Sequence, residues 1–169
     1  AQQVFDPMAA SSEAARRGLM DVYQSLAFAE SEMEDLYSAL ENYDKFLRIG
    51  EAELKAHPRD TRLRRAVAQG YARSGDVTAR TGAVALGLEK LKRSMEMYES
   101  LASENPDNAK AQGDIVRTEI LIGDVLSLDK NYAEAAARYR RALDSAIRLS
   151  TTDPSNRQWQ ANRIVALGR

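Results

Sequence analysis

Asn105-Pro106-Asp107-Asn108 combines a helix break with a new helix start. Proline lacks the N–H that a helix interior needs, and it pushes the preceding residue out of helical backbone, so the helix before it stops there. Two residues on, Asn108 offers a side-chain oxygen to the orphan amides of a new first turn. The same device stands at His57-Pro58-Arg59-Asp60 and at Asp153-Pro154-Ser155-Asn156. These prolines are 106 − 58 = 48 and 154 − 106 = 48 residues apart, and Gly75-Asp76-Val77 returns as Gly123-Asp124-Val125 at the same interval of 48. Two markers at one spacing define a 48-residue repeat, with units over about 8–57, 58–105 and 106–153 and a partial unit over 154–169. Asp6-Pro7 opens the first unit about three residues out of phase.

Each unit reads as two helices. Laid over one another without gaps, residues 36–56, 84–104 and 132–152 stack Leu40 with Leu88 and Ala136, Tyr43 with Leu91 and Tyr139, and Leu47 with Met95 and Leu143. Apolar columns three and four residues apart are a helical stripe and not a strand alternation. The partner helix of each unit falls over about 10–30, 60–79, 108–128 and 156–168, with Asp60, Asn108 and Asn156 as its caps. No short β-branched or aromatic segment is bounded by hairpin turns. The expectation is an all-α chain of about seven helices in antiparallel pairs.

Ile122-Gly123, followed by Tyr132, Ala135, Tyr139, Ala142 and Leu143, resembles the tetratricopeptide repeat signature. There a small residue on the first helix faces a small residue on the second, and an aromatic fills the space one turn later. Gly75, Gly87, Leu91, Ser94 and Met95 follow the pattern in the second unit. In the first unit Ala27, Ala39, Tyr43 and Leu47 follow it, but Phe46 replaces the second small residue. The family's period is about 34 residues, so 48 makes these long-helix variants. Seven extra residues per helix are about two turns, or about 10 Å, which keeps the core stripe nearly in phase. The resemblance implies a right-handed α-solenoid that binds a protein or peptide in the concave groove of its first helices. Long units of this kind, with similar junctions, occur in bacterial multidomain proteins, including regions attached to serine/threonine kinases. A regulatory region of such a signalling enzyme is therefore an alternative to a scaffold or adaptor.

Composition narrows the chemistry. The chain has 169 residues, with 24 Lys and Arg against 25 Asp and Glu, which gives no general attraction to nucleic acid or anionic lipid. The arginines of 59–73 do not share one helix face, so no nucleic-acid partner is expected. No apolar run is long enough for a membrane span. With no cysteine and one histidine, no disulfide, metal, cofactor or catalytic centre is expected. His57 reads as a helix terminator, and Met33, Met95 and Met97 as core or near-core filler. Trp159 is expected to stand partly uncovered at the incomplete last unit. The missing methionine at the start and the half unit at the end read as a piece of a longer protein. A chain without cysteine suits both cytoplasm and periplasm.

The resemblance places the ligand against a column of residues three or four apart on each first helix. In the first unit the column holds Arg17 and Asp21; in the second, Arg62, Arg65, Gln69 and Asp76; in the third, Lys110, Arg117 and Asp124. One end is basic, where arginines would fork a ligand's carboxylates. The other end sets Asp76 beside Asp124. Residues 1–56 hold 5 basic and 11 acidic side chains and residues 57–104 hold 9 and 6, an imbalance that would steer head-to-tail self-association into a homo-oligomer.

Overall fold

The computed structural model describes residues 12–168 apart from 106, 107, 153 and 156. Among them are seven helices and no strand: α1 (Glu13–Glu32), α2 (Leu36–Ala56), α3 (Thr61–Arg80), α4 (Val84–Glu104), α5 (Ala109–Leu128), α6 (Tyr132–Thr152) and α7 (Arg157–Leu167). The odd helices begin at 13, 61, 109 and 157 and the even ones at 36, 84 and 132, so both series keep the 48-residue interval. α1, expected from about residue 10, starts in register at 61 − 48 = 13. Asp6, Pro7, Pro106, Asp107, Asp153 and Asn156 lie outside the described residues.

Side-chain caps set most of the starts. Asp60 Oδ1 accepts from the Leu63 amide at 3.0 Å and Asn108 Oδ1 from the Ala111 amide at 3.2 Å. Ser12 and Asp35 do the same for α1 and α2. Asn131 accepts from the Glu134 amide at 3.4 Å ahead of α6. Ala83, ahead of α4, has no side-chain oxygen to offer and makes no such bond. Within each hairpin the chain reverses through one left-handed residue: Glu34 at φ 62°, Gly82 at φ 95° and Lys130 at φ 61°. These too stand 48 apart, a marker invisible in the sequence because three unlike residues carry it.

The helices stack in chain order. α1 packs on α2, α3 on α4, and α5 on α6, while α2–α3, α4–α5 and α6–α7 join successive hairpins into an α-solenoid. α3 also meets α5, and α5 meets α7, with no comparable contact between even-numbered helices. Two helix backbones approach closely inside the second hairpin. A methyl group at Gly75 would come 2.8 Å from the Gly87 carbonyl oxygen, and one at Gly87 would come 2.6 Å from that of Gly75. Backbone there meets backbone, and any side chain would push the helices apart. Phe46, the bulky departure of the first unit, is fully buried because Gly70 on α3 makes room: a methyl group at Gly70 would fall 2.3 Å from the ring.

Two expectations are corrected. Met33 is 71% exposed, because it caps α1 at the turn instead of facing the core. Trp159 is only 7% exposed, because α7 packs on both α5 and α6 and Gly113 leaves space beside the indole. The apolar surface that α7 does leave open is Ile164, Val165 and Leu167. No described helix is long and apolar enough to cross a membrane.

Candidate binding cavity

The α3–α5–α7 contacts place a cavity of about 550 Å³ among these three helices and α4. α3 contributes Arg65, Gln69, Ala72 and Arg73; α4 contributes Tyr98; α5 contributes Asp114, Arg117, Thr118, Ile120, Leu121 and Asp124; α7 contributes Ala161, Asn162 and Val165. The wall therefore mixes apolar side chains with three arginines and two aspartates.

Asp114 organises the charged part. It is 2% exposed, and an ionised carboxylate at that depth requires charged hydrogen-bond partners. Arg65 supplies a two-pronged one, Nε to Oδ2 at 2.5 Å and Nη2 to Oδ1 at 3.1 Å, and Arg117 Nη2 donates to Oδ1 as well. The hydrogen bond to Asp114 holds the Arg65 guanidinium above its usual value, against the opposing effect of burial. Both arginines remain half-buried, and one carboxylate shared by two guanidiniums leaves net positive charge on the wall. Burial, followed by the negative charge of Asp114, pushes the nearby Tyr98 phenol up, so it stays protonated. Arg73 lies over the Phe28 ring at 5.6 Å, a cation–π contact on an exposed aromatic.

The acidic end is less open. Asp124 Oδ1 accepts from the Tyr139 hydroxyl at 2.8 Å. Burial raises the Asp76 carboxyl above its ordinary range; Arg80 and Arg73 oppose that shift and the charge of Asp124 adds to it. The two aspartates are thus close enough to feel each other.

Four of the nine residues expected from sequence, Arg65, Gln69, Arg117 and Asp124, line this cavity. Arg62 and Lys110, both exposed, share with Arg65 and Gln69 a neighbouring cavity of about 250 Å³. Asp76 is partly buried near Asp124 and lines neither cavity. Arg17 lines neither as well; it pairs with Asp60 Oδ2 at 2.7 Å and lies against Glu13, tying α1 to the start of α3. Asp21 is exposed on α1, also outside both. Sequence reasoning missed Arg73, Tyr98, Asp114 and the α7 residues as members of the wall. Asp114 stands four residues after Lys110 and three before Arg117, the spacing of an ordinary surface pair, and only its contact with Arg65, 49 residues away, reveals the buried centre. Tyr98 carries no local signal at all, because it enters from a second helix.

No family model matches the chain, and no curated protein matches it. Among solved structures it is similar to one described as the crystal structure of MamA protein, at 14% identity over 80% of this chain and 96% of that chain, with a TM-score of 0.22. A likeness of that size carries no argument, so the reading below rests on the chain's own geometry.

Proposed function

We propose that this chain is a tetratricopeptide-like, non-catalytic module that binds an acidic peptide or protein segment in the α3–α5–α7 cavity. The observation that supports this reading is the wall itself: arginines oriented by a buried carboxylate stand beside the apolar surface of Ala72, Ile120, Leu121 and Val165. A guanidinium already held by Asp114 loses little freedom when it forks a ligand carboxylate, and the apolar patch suits one hydrophobic side chain of the same ligand.

The test is fluorescence polarisation with labelled peptides of defined charge. Peptides joining Asp or Glu to Leu or Phe should bind, and their Lys or Arg counterparts should not. Ala161→Trp, which fills the mouth from the exposed side of α7, and Arg62→Glu with Lys110→Glu, which reverses charge in the neighbouring cavity that shares Arg65 and Gln69, should each weaken binding while leaving the far-UV spectrum unchanged. Equal binding of acidic and basic peptides, or no effect of either variant, would discard the site. Self-association is the second reading, favoured by exposed Ile164 and Leu167 on α7, and sedimentation velocity would reveal it as a concentration-dependent dimer.

A further inference from the structure

Where α1 begins against the end of α2, three ligand-type side chains converge outside the cavity. Glu13 is the first residue of α1, Glu53 stands in the last turn of α2, and His57 caps that helix. Each offers one ligand atom, and the three atoms lie within 4.8 Å of one another. Glu13 Oε2 is 3.4 Å from His57 Nε2. Glu53 is 2% exposed; its Oε1 accepts from Arg16 Nε at 2.5 Å, but its buried Oε2 has no hydrogen-bond partner among the described residues.

That orphaned oxygen is a departure from the repeat. The same position in the next two units, 53 + 48 = 101 and 101 + 48 = 149, holds Leu101 and Leu149, and Leu101 is 2% exposed. A slot that elsewhere holds leucine here takes a carboxylate, and leaving one oxygen of it unsatisfied is costly. The Arg16 guanidinium meets Oε1 only, and a second cation would meet Oε2.

We propose that Glu13, Glu53 and His57 bind a divalent transition-metal ion of the Zn²⁺ type, with water completing its shell. One imidazole nitrogen and two carboxylate oxygens form the mixed donor set that Zn²⁺ takes at about 2.0–2.2 Å, whereas Ca²⁺ and Mg²⁺ favour oxygen ligands. Tetrahedral bonds of that length set ligand atoms roughly 3.3 Å apart, so the cluster needs to close by only about 1.5 Å from its widest separation. The surrounding charge allows it. Arg16 pairs with Glu53, and Arg17 spans Glu13 and Asp60, so three carboxylates face two guanidiniums before the ion arrives. The ion would tie the start of α1 to the α2–α3 junction. Because its ligands must give up their protons to bind it, affinity falls as the solution is acidified.

The experiment titrates ZnCl₂ alone into the metal-stripped full chain by calorimetry, with CaCl₂ as the comparison, and follows melting with and without EDTA. One Zn²⁺ per chain, a higher Tm with Zn²⁺, and no comparable response to Ca²⁺ are expected. His57→Ala should weaken binding by about tenfold or more. Glu53→Leu, which installs the residue of the sister units, should fold and lose the Zn²⁺ response. No heat up to ~100 μM Zn²⁺, corresponding to an affinity weaker than about −5.5 kcal/mol, would overturn the proposal. Undiminished binding by His57→Ala, or a melting point that answers to pH and not to Zn²⁺, would overturn it equally.

Discussion

A carboxylate as buried as Asp114 persists in a helical array only while its charge is met, and Arg65 and Arg117 meet it from two repeats. Truncating both, Arg65→Ala with Arg117→Ala, strands that charge and should cost about 3–5 kcal/mol in urea unfolding. Adding Asp114→Ala should restore most of the loss, since no buried charge then lacks a partner. Charge reversal at these two arginines therefore reports on folding before it reports on binding, and the exposed Arg62 and Lys110 of the neighbouring cavity are the sounder probes. Asp76 makes a second prediction, through pH. Burial raises its folded carboxyl value above the unfolded one, so the fold favours the protonated form, and a penalty grows as pH rises through the folded value. Asp76→Asn should leave stability unchanged well below pH ~4 and increase it at pH 7, measured by denaturant midpoints at both. Asp60 runs the other way: the Leu63 amide and then Arg17 lower its carboxyl, so its contribution is full above the unfolded value and is lost as pH falls through the folded one. At this scale the sequence showed which residues are basic, but not which carboxylate they serve, because residues 65 and 114 meet only through tertiary packing.

Element boundaries were the most legible feature, since proline stops and Asx caps are local chemistry, and the even helices start where the apolar columns placed them. What stayed hidden was the turn inside each hairpin. Its signature is a backbone angle shared by Glu34, Gly82 and Lys130, and two of those three residues adopt left-handed φ at a cost glycine avoids. The repeat therefore carries its own list of improvements. Lys130→Gly should stabilise the third hairpin by roughly 0.5–1 kcal/mol, the strain at φ 61° outweighing the added freedom of the unfolded chain. Ala83→Asp should supply the cap that Asp35 and Asn131 provide in the sister units, worth about 1 kcal/mol. Thermal melts of the two single variants and their combination check both values. The sites stand 47 residues apart, in different hairpins, so their effects should add.

Across the whole molecule each helix rests on its chain neighbours, so stability is close to a sum of unit and interface contributions, and the end members open most easily. The general architecture followed from the 48-residue interval, but the cavity did not, because its wall draws on α4 and α7 as well as the expected column. That composition links stability to ligand. Trp159, the one tryptophan, sits buried on α7, whereas helical ellipticity reports on all seven helices. In urea the Trp159 emission shift should precede the loss of ellipticity, because α7 has only 11 residues and detaches without unfolding α3–α4. A ligand in the cavity touches Ala161, Asn162 and Val165 together with α3 and α5, so it can bind fully only while α7 is docked. At a hundredfold excess over Kd such a ligand stabilises the docked state by about 2.7 kcal/mol, and the two transitions should move together. Two probes that coincide without ligand would show a single cooperative unit and remove the basis for graded opening. Probes that stay separate at saturating acidic peptide would place the peptide somewhere other than this cavity.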